Sequence, residues 1–123
     1  MDPTDFSGAD LTGANLKRAQ LCGASIRNAI LKAADLSNAI RINVDLAKAG
    51  LSNANLSHRD MSDALFFKTS LEGTDLTGAK LDGADFADAN LKNAPLHRAD
   101  LREVKNLNGA NLTGANPSNA IRL

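Results

Sequence analysis

Three kinds of side chain here are able to do chemistry: closely spaced carboxylates, a pair of histidines and a thiol. Asp82, Asp85 and Asp88 lie three residues apart, a spacing at which oxygen ligands gather around a hard cation if their side chains converge. His58 and His97 are the two histidines and Cys22 is the single cysteine; a proton relay or a zinc site needs such groups within a few ångströms of one another. One cysteine allows no internal disulfide, so the chain does not depend on an oxidising compartment. The repeated Gly-Ala-Asp and Gly-Ala-Asn steps are not a phosphate loop, because no Gly-Lys-Ser/Thr element follows them. Asn55-Leu56-Ser57 and Asn111-Leu112-Thr113 match the glycosylation pattern, but the repeat itself generates such triplets.

Whether any of these groups converge depends on the element that carries them, and that element has an unusual period. From Phe6 to Leu101 every fifth residue forms a series of 20 positions, of which 19 are Leu, Ile, Met or Phe and one is Arg41. Two residues before each of these centres stands Ala 15 times, with Thr4, Thr69, Thr74, Val44 and Arg59 as the exceptions. The residue just before the centre is often Asp or Asn, as in Ala9-Asp10-Leu11 and Ala89-Asn90-Leu91. A period of five fits neither the 3.6 of a helix nor the alternation of a strand, so the chain is expected to turn a corner every five residues. Gly or Asn recurs two residues after the centre, as at Gly8, Gly13, Asn28 and Gly73. Both tolerate a positive φ, which a type II turn demands at its third position.

These A(D/N)LxG-like units, repeated almost without a gap, resemble the pentapeptide-repeat family over nearly the whole chain. The resemblance implies an all-β fold, a right-handed quadrilateral parallel β-helix in which four pentapeptides make one square coil with centre and Ala side chains inward. It also implies that the chain binds partners rather than catalyses. Coils of about 20 residues stacked at roughly 4.8 Å give about six coils and a rod about 29 Å tall. Such a solenoid is stabilised mainly by each coil covering the next.

The 123 residues are expected to form a single repeat domain, 1–123. After Leu101 the next centres are Leu107 and Leu112, so 102–106 holds one extra residue and predicts a bulge or small loop. Pro117 occupies a centre, and 117–123 is expected to fray. No amphipathic capping helix is legible at either end, so both terminal coils are expected to be covered by a partner, a second copy in an end-to-end homodimer, or further chain. There is no basic-then-apolar leader and no apolar run long enough to span a bilayer, which predicts a cytoplasmic protein with no membrane partner.

Lysine plus arginine equals aspartate plus glutamate at 14 each, so no global field attracts nucleic acid. The charges are nonetheless banded. Residues 16–59 hold seven basic and two acidic groups, a net of +5, and 60–90 hold seven acidic and two basic, a net of −5.

Position modulo 20 assigns each centre to one side of the square. Phe6, Ile26, Leu46, Phe66 and Phe86 then share a side, with Phe66 directly beneath Phe86 and Phe67 facing outward. His58 and His97 fall two coils apart, on the order of 10 Å, too far for one metal ion. Asp82, Asp85 and Asp88 diverge around a corner. No residue is therefore assigned a catalytic, cofactor-binding or metal-binding role, and the protein is not expected to be an enzyme. Arg41 at a centre and Arg59 at an Ala position break the inward rule, and both are expected to point outward because burying an unpaired guanidinium costs several kcal/mol. Ile40 and Ile42 either turn inward to replace the lost filling or join Leu65 and Phe67 in an outward apolar patch. Arg41, Arg59, Asp60 and Lys68 border that patch, the candidate partner site.

The expected function is a protein–protein interaction module or scaffold on a rigid rod, with an unidentified protein partner. Two alternatives stand beside it. Some members of the family resembled mimic DNA in the binding groove of type II topoisomerases, but those are strongly acidic rods dimerised through a C-terminal helix, and this chain is neutral and lacks that helix. The other alternative is a spacer segment of a longer protein.

Overall fold

The computed structural model describes residues 4–37 and 43–120. Among these residues a turn follows one centre after another. The N–H three residues on donates back to the centre's carbonyl, as from Ala9 to Phe6 (3.0 Å) and from Ala84 to Leu81 (3.0 Å). The residue two after the centre takes a positive φ at the corners from 8 to 33 and from 48 to 119, at glycines such as Gly83 (71°) but also at Arg18 (62°), Ala33 (58°) and Lys48 (60°). Left-handed backbone costs a side-chain-bearing residue roughly 1–2 kcal/mol, so the many non-glycine corners are held by the coils around them rather than by local preference.

Between corners, residues before centres pair in parallel with those 20 further on, as Asp5 with Ser25, Ser25 with Asp45, Asp45 with Leu65 and Leu65 with Asp85. The four series of such pairs make the four sides. The phenylalanine side carries the centres Phe6, Ile26, Leu46, Phe66, Phe86 and Leu107. The second side runs through Leu11 to Leu112, the third through Leu16 to Pro117, and the fourth carries Leu21, Met61, Leu81 and Leu101. On the third side Pro95 has no N–H to give, and its link to the coil before is the Leu76 N–H to Pro95 carbonyl bond alone (2.9 Å).

The separation of 20 changes once. Lys80 pairs with Asp100, but Asp85 pairs with Asn106, Asn90 with Asn111 and Pro95 with Asn116. Lys105 N–H donates to the Ala84 carbonyl while Phe86 N–H donates to Asn106, so two residues stand opposite Asp85, the arrangement of a β-bulge. Val104 packs against the core beside it.

Inside, centres and alanines fill a continuous column, with Leu31, Leu51, Leu71 and Leu81 among the fully buried centres. Phe66 and Phe86 stack with ring centroids 4.7 Å apart and planes within 3° of parallel, a contact that adds to the burial of the rings themselves. Thr69 and Thr74 replace alanine, and their buried hydroxyls donate to the carbonyls of Leu46 (2.7 Å) and Leu51 (2.6 Å) in the coil before. That satisfies what would otherwise be a costly buried polar group.

Candidate functional site

The outward face of each side is set by the residue before the centre and the residue after it. Where the former is Asp or Asn, its Oδ1 accepts the N–H two residues on: Ser7 to Asp5 (2.8 Å), Thr12 to Asp10 (3.1 Å), Ala87 to Asp85 (3.0 Å), Thr113 to Asn111 (3.0 Å). That N–H is the one the turn leaves unpaired, so the recurrent carboxylate or amide acts as a turn lock. The period drew attention to these residues without showing this role; the signal that could have found it is the confinement of Asp and Asn to the position before the centre.

Several of the locks shift their own titration. Asp10 is held below the ordinary carboxylate value of 3.8, first by the Thr12 hydroxyl (2.6 Å) and then by the Thr12 N–H. Asp5 and Asp35 are lowered in the same way by Ser7 and Ser37. Asp100 is lowered chiefly by the Arg102 guanidinium, which donates from Nε (3.0 Å) and Nη2 (2.8 Å). All four are thus stabilised as anions, the opposite of what a general acid requires.

The aspartate trio does not gather. Asp85 locks a turn on the phenylalanine side, and Asp88 sits at the following corner, below the position a Cβ on Gly109 would need. Asp82 instead lines a shallow depression of about 440 Å³ on the fourth side with Asp60, Lys80, Asp100, Arg102 and Glu103. Its neighbours there come mostly from the coils before and after, 18 to 22 residues away in the chain. His58 occupies a corner beneath Gly78, and His97 follows the centre Leu96. Cys22 is exposed. Among the described residues, no group of three or more His, Cys, Asp or Glu is placed to hold a metal ion.

Of the candidate patch, Ile40, Arg41 and Ile42 lie outside the described residues. Arg59 is half-buried, and its Nε donates to the Ser57 carbonyl (3.0 Å). Asp60, on the fourth side, locks the Ser62 turn (3.1 Å). Leu65 and Phe67 flank the buried Phe66 on the phenylalanine side, one corner away from Asp60, and are 41% and 38% exposed. At Leu65 the repeat has given up its turn-locking residue for an apolar one. Ala47 and Ala87 stand at the same register as Phe67 one coil before and one coil after, the first buried and the second half-buried, so Phe67 rises from a smooth apolar strip. Lys68 Nζ lies 5.2 Å from the Phe67 ring centroid, within cation–π range. A second depression, of about 410 Å³, opens beside Leu65 between Ser25, Val44, Asp45 and Asp63.

No helix among the described residues is long and apolar enough to cross a membrane. The family model described as Pentapeptide repeats matches in overlapping segments over 4–40, 29–66, 45–81 and 69–105. A pentapeptide repeat protein from the Arabidopsis thaliana thylakoid lumen is 33% identical, over 83% of this chain and 71% of its own, with a TM-score of 0.77. Rfr23, a pentapeptide repeat protein from the cyanobacterium Cyanothece 51142, is 27% identical over 97% of this chain and 91% of its own, with a TM-score of 0.58. No curated protein matches the chain. With period, square coil, buried Ala and Leu columns and these likenesses in agreement, the chain belongs to the pentapeptide-repeat family and is a right-handed quadrilateral β-helix.

Proposed function

We propose that this protein is a non-enzymatic protein–protein interaction module whose binding face is the flank around Leu65 and Phe67. The observation that carries the reading is the pairing of two exposed large apolar side chains on one coil at outward register positions, most of which hold Asp, Asn or other polar residues, while Ile30, also exposed at 48%, stands alone among the described outward residues of the second side. A side chain that neither fills the column nor locks a turn contributes little to the fold, and paired apolar anchors with a charged rim suit a partner surface. Asp60 and Arg59 supply part of that rim, with Ile40, Arg41 and Ile42 as its proposed continuation. The filled column and the locked carboxylates favour binding over catalysis. The single thiol, Cys22, fits a cytoplasmic setting, which cell fractionation would check.

The test compares capture of cellular proteins by the natural chain and by a Leu65→Ser, Phe67→Ser variant of equal thermal stability. Loss of a specific interactor in the variant is the expected result. An identical set of interactors would return the patch to an irregularity of the repeat.

A further inference from the structure

The flank that carries Phe67 is charged differently on its two sides along the rod. On the N-terminal side stand Asp5, Arg27, Asp45 and Lys48, a net of 0, and on the C-terminal side Asp85, Asp88 and Lys105, a net of −1; in the two coils adjoining Phe67 the contrast is 0 (Asp45, Lys48) against −2 (Asp85, Asp88). The same sense runs through the middle of the chain, with net +5 over 16–59 and −5 over 60–90, while 1–15 carry −3 and 91–123 carry +3. Arg27 is bound to Asp45 within the chain at 2.8 Å. Lys48 and Asp88 are exposed corner residues one coil before and one coil after Lys68, and neither takes part in an ion pair among the described residues.

Resting on the reading of this flank as an interaction face, we propose that its occupant is a second copy of this chain, packed side by side with its axis reversed about the Leu65–Phe67 level. A twofold axis across the flank at that level sets Phe67 against Phe67 and Leu65 against Leu65. It carries the coil before onto the coil after. Lys48 of each copy then faces Asp88 of the other, twice by symmetry. Asp45 comes opposite Asp85, but it brings Arg27 with it, so that encounter is between an ion pair and a carboxylate. Lys68, at the same corner between Lys48 and Asp88, meets Lys68 of the other copy, one like-charge encounter against the two Lys48–Asp88 attractions, and each ammonium lies over its own Phe67 ring. Running the two rods in the same direction instead puts the twofold axis along the rods and reverses the strand direction, so that each coil meets its own copy: Asp88 faces Asp85 twice, and Lys48 faces an Asp45 already paired with Arg27. Charge therefore selects the reversed arrangement. Ala47 and Ala87 leave the strip on either side of Phe67 smooth, which allows one ring to lie beside the other. A single narrow flank falls below the roughly 800 Å² per partner of a standard interface, so the pairing is a weak, micromolar one.

Sedimentation equilibrium on the full chain from about 1 to 300 µM, a range chosen to bracket a micromolar constant, reads the association directly. A monomer–dimer equilibrium is expected for the natural chain, weakened at least tenfold in Phe67→Glu, Lys48→Asp and Asp88→Lys. Circular dichroism would verify that each variant retains its β-helix. The decisive arm mixes Lys48→Asp with Asp88→Lys. In the mixed pair the carboxylate introduced by Lys48→Asp meets the ammonium introduced by Asp88→Lys, and the unaltered Lys48 of one copy meets the unaltered Asp88 of the other. The mixture should therefore dimerise while neither variant does so alone. A natural chain that stays monomeric, a dimer indifferent to Phe67→Glu, or a mixture no better than its components would each overturn the proposal. If self-association fails while the Leu65→Ser, Phe67→Ser variant still loses a cellular interactor, the flank remains an interaction face and only its occupant changes. If both experiments are negative, both readings fall.

Discussion

Leu71 and Leu112 belong to the same side, stand at the same point of the repeat and have the same side chain, yet Leu71 is fully buried and Leu112 is 43% exposed. Phe66 and Phe6 repeat the contrast on the phenylalanine side, Phe66 being inaccessible and Phe6 half-buried. Nothing within five residues accounts for either difference. Central coils are closed above and below by their neighbours, while the first and last described coils are closed on one side. In this fold burial is thus a property of position along the rod, and a residue's energetic weight follows from how many coils touch it.

The sharpest way to break that comparison is to remove the same ring in both places. Phe66→Ala should cost about 3–5 kcal/mol in chemical denaturation, as expected for a fully buried Phe, because it empties the column and strips Phe86 of its stacked partner. Phe6→Ala should cost less than half as much. Equal losses would mean that the coils do not act through their neighbours.

A smaller effect is expected at the corners. Gly13 and Gly83 share a positive φ (66° and 71°), but a Cβ at Gly13 meets nothing within 4 Å, while one at Gly83 would run into the Asp63 carboxylate from the coil before. Gly13→Ala should therefore cost only the backbone penalty, roughly 1–2 kcal/mol. Gly83→Ala should cost more, and the added Asp63→Ala change should recover the difference. If the two glycines prove equivalent in thermal melts, the column of corner side chains carries no weight.

The smallest effect is that of pH, and it sharpens the contrast between end and centre. Asp5 and Asp10, in the first coil, have folded values lowered below 3.8. A lowered carboxylate contributes stability that is present in full above the unfolded value and is lost as pH falls through the folded one. Amide exchange in the first coil should thus accelerate below about pH 4 before that of the central coils. Asp5→Asn with Asp10→Asn keeps the acceptors for Ser7 and Thr12 but removes both titrations, so the double variant should flatten this acid limb while leaving the neutral-pH melt nearly unchanged. An acid limb that persists in the variant would place its origin elsewhere.

Much of the site was legible from phase alone. Counting in fives makes Leu65 and Phe67 outward and Phe66 inward, and counting in twenties stacks Phe66 on Phe86, as found at 4.7 Å. The expected Gly and Asn corners were only part of the set, because Arg18, Lys48 and Glu103 adopt the same left-handed backbone under tertiary constraint. Asp82, Asp85 and Asp88 were conspicuous as a local trio, yet a corner separates them and Asp82 finds Asp60 and Asp100 instead.

The amino-acid sequence by itself determined the coil: its period, its corners, and which side chains fill the column. Those depend on steric and hydrogen-bonding choices made within five residues, where an apolar centre, a small alanine and a turn-locking Asp or Asn reinforce one another. Tertiary structure alone decided what each residue weighs. Neighbours across a coil lie 20 residues away, or 21 once the bulge opposite Asp85 has shifted the register, and coverage from those neighbours separates a fully buried Leu71 from an exposed Leu112.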